Sequence, residues 1–420
     1  MKEQMGGGLS RRDFVKASAV SSFAILAARS GVAQNNSDTL RVGLIGCGGR
    51  GSGAAVNHLT GNDNVKLVAL ADVTADRVTG AKDRLKAHPD PKVSSKVELN
   101  DDMCFVGLDA YEKLLATDVD IIIHATPPYA RPQHIEAAVN AGKHVFTEKP
   151  VAVDPVGVRQ FIAAANKAKE KKLSFVTGLQ RRHQAKYVEA MDRIHNGEIG
   201  EILAGRAYWC GSLPFAHDRN PDENDLAYRL RNWYNQCWTC GDNIVEQHIH
   251  NLDIINWALK SHPVSVFASG GRTWKPAIEK YGDIWDSFSC DYEYPNGVHV
   301  ISMSRHWVDS ASGVFEEVTG VKGKINFDTL EEKGIDPYVQ EHINLMASIR
   351  GTGPYVNQGV ETAESTLTAI MGRMSAYTGK ALTWDEAMNS DLSIVPADLS
   401  YDKEYPVGPI PVPGSDGKKA

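Results

Sequence analysis

Residues 40–45, Leu-Arg-Val-Gly-Leu-Ile, run straight into Gly46-Cys47-Gly48-Gly49-Arg50-Gly51. An apolar strand followed by G-x-G-x-x-G leaves the backbone few options. The first glycine permits a tight turn, the second lets the main chain approach a ligand, and the third lets helix and strand pack closely. Residues 52–59 can open a helix whose N-terminus faces a negative group. A second strand, residues 65–70, ends at Asp72, about 20 residues past the loop, where an acid can bind both hydroxyls of an adenine ribose. Strand, loop, helix and acid in this order predict a dinucleotide site. Gly46, Gly48, Gly49, Arg50, Gly51 and Asp72 are its first residues. An acid there would repel a 2′-phosphate, which favours NAD over NADP.

More strands follow at helical intervals. Residues 119–125 end in Thr126-Pro127-Pro128, a helix over 134–141 closes at Gly142, and residues 144–147 lead into Glu148-Lys149-Pro150. This alternation predicts an α/β class: a doubly wound parallel sheet of Rossmann type, with ligands at the carboxyl ends of its strands. Thr126, Pro127, His134, Glu148 and Lys149 are then on the cofactor side. Beyond residue 155 the pattern changes. A helix over 156–171 and a strand over 173–177 precede antiparallel candidates at 202–208, 264–269, 292–294 and 298–302. The last two flank the turn Pro295-Asn296-Gly297. The expected plan is a leader over 1–33, a dinucleotide domain over 38–155, an α+β substrate and oligomerisation domain with a large open, mainly antiparallel sheet over 156–400, and an extended tail over 401–420.

One segment of the second domain carries chemistry. Apolar residues at 244, 245, 249, 252 and 255 predict one helix, on which Glu246 and His250, four apart, share a face. A carboxylate one turn from an imidazole can orient it and raise its basicity. Trp233 and Tyr234, in an aromatic loop with interleaved charges, suit a sugar ring. Arg182 and His183 follow a strand end and are further substrate candidates, as is His248.

The formal net charge of −7, with no basic block, argues against a nucleic-acid surface. Ser10-Arg11-Arg12-Asp13-Phe14-Val15-Lys16 is a twin-arginine pattern, followed by a weakly apolar run and small residues at Gly31-Val32-Ala33. It predicts export of the folded chain to the periplasm, with no membrane attachment after the leader is removed. The six cysteines are too sparse for a disulfide scaffold. Cys237-x-x-Cys240 is left open between thiols, a local disulfide and metal ligands, and no metal site is expected.

Taken together, Gly46-x-Gly48-x-x-Gly51, Ala125-Thr126-Pro127, Glu148-Lys149-Pro150, Glu246-x-x-x-His250, residues 196–200 and residues 377–384 resemble the Gfo/Idh/MocA oxidoreductases, over roughly residues 40–395. The resemblance implies that Lys149 stands beside the nicotinamide and the reacting hydroxyl, that His250 is the general base, and that Glu246 fixes its ring. It also implies a homo-oligomer, dimer or tetramer. The pattern usually has Asp where Glu246 stands and a small residue at His248, which leaves room for an altered site. The expected activity is oxidation of a carbinol on a sugar or glycoside, with NAD tightly held and recycled in the site. A redox-neutral NAD-dependent glycosidase and a non-catalytic sugar-binding protein are the alternatives. The retained Lys149 favours the oxidoreductase.

Overall fold

The computed structural model describes residues 38–276 and 278–414. The twin-arginine pattern lies outside them. The first half builds a parallel sheet: β1 (Leu40–Ile45), α1 (Gly49–Gly61), β2 (Val65–Asp72), α2 (Ala75–Lys86), β3 (Cys104–Val106), β4 (Ile121–His124), α3 (Arg131–Asn140), β5 (His144–Thr147), α4 (Pro155–Glu170) and β6 (Phe175–Thr177). Its order is β3-β2-β1-β4-β5-β6, and each adjacent pair is parallel. Strands β4 and β6 are buried throughout, because helices cover both faces. The order reverses between β1 and β4, the switch point where such sheets bind ligands.

A boundary at residue 155 would cut this sheet, since α4 and β6 complete it. The edge at β6 is closed by chain from far downstream: the Phe175 N–H donates to the Val356 carbonyl, and Gln358 N–H to the Phe175 carbonyl. An uncovered edge strand would leave those groups without partners.

The second sheet uses α5 (Ala185–His195), β7 (Ile202–Gly211), α6 (Asp225–Arg231), α7 (Asn243–Glu246), α8 (Ile249–Leu259), β8 (Ser265–Gly271), β9 (Ser287–Tyr294), β10 (Val298–His306), β11 (Gly313–Gly320), β12 (Gly323–Asn326), α9 (Pro337–Arg350), α10 (Gly359–Thr378) and β13 (Leu382–Thr383). Its order is β12-β11-β7-β10-β9-β8-β13; only the β7–β10 pair is parallel. Helices α8 and α10 pack on its inner face. The outer face keeps Phe267 and Ile301 exposed.

Two expectations change here. The single helix expected from the apolar residues at 244–255 is broken: α7 ends at Glu246 and α8 starts at Ile249, with Gln247 at φ −105°, ψ −48°. The tail does not simply run out extended. It turns at residues 400–403 and buries the Tyr405 side chain. Helix α9 crosses back onto α1, where the Nδ1 atoms of His58 and His342 lie 3.4 Å apart.

Candidate active site

A cavity of about 570 Å³ lies along the carboxyl ends of the parallel strands, walled on the other side by the second domain. Its floor is the glycine loop. Gly46 has φ +94°, and a Cβ there would come within 2.7 Å of the Ala125 carbonyl carbon. A Cβ on Gly51 would run into the Gly46 carbonyl. Both positions therefore require glycine. Helix α1 starts at this loop with no side-chain cap and no acid in its first turn, so its positive end is open to an anion. The loop thus fits a pyrophosphate by its own geometry.

Asp72 ends β2 beside the loop. Its Oδ2 accepts the Cys47 N–H at 2.6 Å and its Oδ1 the Thr74 N–H at 3.3 Å. Burial pushes its carboxyl up, against those bonds and nearby Arg77. Arg50 turns away from the loop to pair with Glu148 and, at 3.4 Å, with Glu341, while its guanidinium covers the Tyr338 ring at 4.7 Å. Burial works to lower the Arg50 pKa, but the two carboxylates outweigh it and the net shift is upward. His134 stacks on Tyr111 at 3.7 Å, and its Nδ1 lies 3.2 Å from His124 Nε2, which also meets Thr126 Oγ1 at 2.9 Å. Burial takes His134 down to about 3, so the ring is neutral. Gly46, Gly48, Gly49, Arg50, Gly51, Asp72, Thr126, Pro127, His134, Glu148 and Lys149 all line the cavity.

At the other end, Lys149 Nζ donates to the Glu246 carbonyl at 2.5 Å and to its Oε1 at 3.1 Å. Burial raises the Glu246 carboxyl, with Lys149 opposing. His250 lines the same wall, its ring beside the Trp209 indole at 5.9 Å. Its Nδ1 is buried with no partner. Burial, then the positive charge of Lys149, holds its pKa well below 6.5. The break at Gln247 thus overturns one expectation: Glu246 does not orient His250. The carboxylate turns to Lys149, and the imidazole lies beside Trp209.

Of the five substrate candidates, only Trp233 lines the cavity. Arg182 makes two bonds to Asp253, at 2.8 and 2.7 Å, inside the second domain. His183 meets Asn344 at 2.7 Å and Gln358 at 3.0 Å, and burial lowers it to about 4. Tyr234 is buried behind Trp233, its hydroxyl 3.4 Å from His306. His248 bonds Ser302 Oγ at 2.6 Å, and burial lowers it to about 3. After β6 the chain enters a tight 3₁₀ turn that presents Gln180 to the cavity and sends the next residues back into the core. Cys237 and Cys240 are buried free thiols, and burial pushes Cys237 up to about 12. Among the described residues no group of three His, Cys, Asp or Glu could hold a metal ion.

Several cavity residues carried no local signal. Phe215 and His217 come from the β7–α6 region, and Tyr338 from α9; Arg231, one of the charges interleaved in the aromatic loop, also lines the wall. Arg131, the first residue of α3, was not among the sequence candidates. It holds the Thr126 carbonyl at 2.7 and 3.0 Å and the Pro150 carbonyl, tying two strand ends together.

Residues 40–176 match the oxidoreductase family with an NAD-binding Rossmann fold, and residues 187–326 match the GFO/IDH/MocA C-terminal domain. The chain belongs to the Gfo/Idh/MocA oxidoreductases. Its first domain is an NAD-binding one. It is 26% identical over 341 residues to the inositol 2-dehydrogenase of Rhizobium meliloti, covering 79% of this chain and 89% of that protein. It is 27% identical over 297 residues to the myo-inositol 2-dehydrogenase of Thermotoga maritima, covering 70% and 76%. The fold matches scyllo-inositol dehydrogenase from Lactobacillus casei, solved with NAD(H) and scyllo-inositol, with TM-score 0.64, 19% identity and coverage of 82% and 99%. It also matches the aldose-aldose oxidoreductase of Caulobacter crescentus, with TM-score 0.63, 17% identity and the same coverage.

Proposed function

We propose that this Gfo/Idh/MocA oxidoreductase oxidises a secondary hydroxyl on a polyhydroxylated ring, a sugar, glycoside or cyclitol. The observation that carries this is the placement of Lys149, Glu246 and His250 on one wall of the cavity whose floor is the glycine loop. The inositol dehydrogenases among its relatives support the substrate class.

When bound, NAD⁺ supplies the acceptor that takes the carbinol hydrogen with its electron pair. The rest falls to the chain. Neutral His250 accepts the hydroxyl proton; its depressed pKa keeps the base form present well into the acid range, at some loss of driving force. The Lys149 ammonium has three donors and gives two to Glu246, so one remains for the substrate oxygen as alkoxide character develops. Glu246 holds that ammonium in place. Trp233, half-buried in the wall, offers an apolar face to the ring. The twin-arginine pattern at residues 10–16 supports a periplasmic site of action, reached after folding.

The test is a panel of inositols, aldoses and glycosides assayed for NADH absorbance with the purified chain, beside Lys149→Ala. Turnover on at least one ring substrate, lost in the variant, supports the reading. A variant as active as the parent overturns the role of Lys149.

A further inference from the structure

The end of the cavity away from Lys149 is closed by a part of the chain that takes no part in the chemistry. Asp72 marks the adenosine end. Next to it, Val73, Leu108 and Tyr129 line the cavity from the first domain, and Leu230 and Arg231, at the end of α6, line it from the second. Behind this roof sits a separate apolar cluster. Leu226, Leu230 and Tyr405 are its buried members, with Val73, Leu108, Tyr129, Trp238, Leu399 and Tyr401 packed around them.

The segment over 398–405 ties the two sides together. The Tyr401 hydroxyl donates to the Val73 carbonyl at 2.9 Å, one residue from Asp72. The Tyr405 N–H donates to Asp225, the first residue of α6, which also pairs with Arg219 at 3.1 Å and Arg229 at 3.2 Å. The Tyr405 ring lies 6.0 Å from Trp238, which meets Tyr129 edge-on at 5.3 Å. The segment is also fastened to itself: Tyr405 Oη accepts the Ser400 N–H at 2.8 Å and lies 3.2 Å from the Asp398 carbonyl. One short stretch thus holds α6 down and grips the turn after β2. Both contacts brace elements, the turn after β2 and α6, whose residues line this end of the cavity.

We infer that residues 398–405 are a strap that locks the roof over the adenosine half of the cleft, so that NAD(H) is retained between turnovers and exchanges slowly with solution. The inference rests on the NAD-binding fold and not on the identity of the substrate. Its consequence is chemical: NADH left by the first oxidation must be reoxidised in place, by a second substrate with a carbonyl that accepts the hydride or by return of the hydride to a product of the first step.

The test measures nucleotide exchange, so it stands whether or not a substrate is found. The full chain is loaded with NADH and mixed with excess NAD⁺, and release is followed by the loss of bound-NADH fluorescence. Tyr401→Phe removes one hydroxyl; Tyr405→Ala removes the ring. Tyr355→Phe is the control, removing a comparable bond to the Leu173 carbonyl at 3.0 Å, away from the cavity lining. The parent should release NADH over minutes or longer, Tyr401→Phe roughly ten-fold faster, as expected for one lost bond, and the control at the parent rate. Tyr405→Ala should be faster still; should it fail to fold, Tyr401→Phe alone decides. A parent that exchanges within seconds, or a Tyr401→Phe rate equal to the parent's, overturns the strap.

Discussion

Lys149–Glu246 and Arg182–Asp253 are alike on paper. Each joins a cation just past a strand of the parallel sheet to an acid on α7 or α8, and each is largely buried. They differ in what they face. Arg182 uses Nε and Nη2 on both oxygens of Asp253, and Asp253 Oδ1 also accepts Ser365 Oγ at 2.8 Å. The guanidinium lies 5.3 Å over the Trp257 ring. Lys149 keeps a donor, and both its partner and His250 face the cavity. Charge, burial and spare donors do not separate the two pairs; a place on the cavity wall does.

That contrast can be broken in order of effect. Lys149→Ala should lower kcat by roughly 10²–10³ or more, as for loss of a group that stabilises developing negative charge, with NADH binding little changed. Arg182→Leu should do the reverse. It leaves Asp253 buried without its cation and should cost about 3–5 kcal/mol of stability in a denaturant titration, while the folded fraction keeps its kcat. If Arg182→Leu lost activity without losing stability, the two pairs would not differ as described.

The pH profile sharpens the same point. His250 is held well below 6.5, so lowering pH from 7 through 6.5 leaves it neutral and able to accept a proton. Glu246 is raised above 4.5, so it takes up a proton as pH falls toward that value and its bond to Lys149 weakens. The acid limb of kcat/KM is therefore expected to follow Glu246 rather than His250. In Glu246→Gln the residual activity should lose that limb, whereas a limb that stays in place would belong to another group.

The smallest effects distinguish neighbours. Trp233→Ala should raise KM about ten-fold, for the loss of roughly 1.4 kcal/mol of stacking. Tyr234→Phe removes a long bond to His306 and should change stability by no more than about 1 kcal/mol, leaving KM alone.

What the sequence by itself determined is the half of the site built from local rules. The glycine loop, the acid ending β2 and the strand-end motifs at Thr126 and Glu148 follow from period, turn geometry and the requirement for glycine at 46 and 51. Those constraints act within a few residues, so their outcome is written locally. The broken helix at Gln247 was not legible, because apolar residues at 244, 245, 249 and 252 read as one face whether or not the backbone is interrupted. Arg182, His183 and His248 looked like site residues because they follow a strand end or flank a motif. Only packing showed that Asp253, Asn344 and Ser302 already hold them. Tyr338 and Phe215 reach the cleft, and residues 398–405 pack behind its wall, from distant points in the chain. Their positions depend on which remote surfaces bury one another, and a side chain's free capacity is known only once every neighbour is in place.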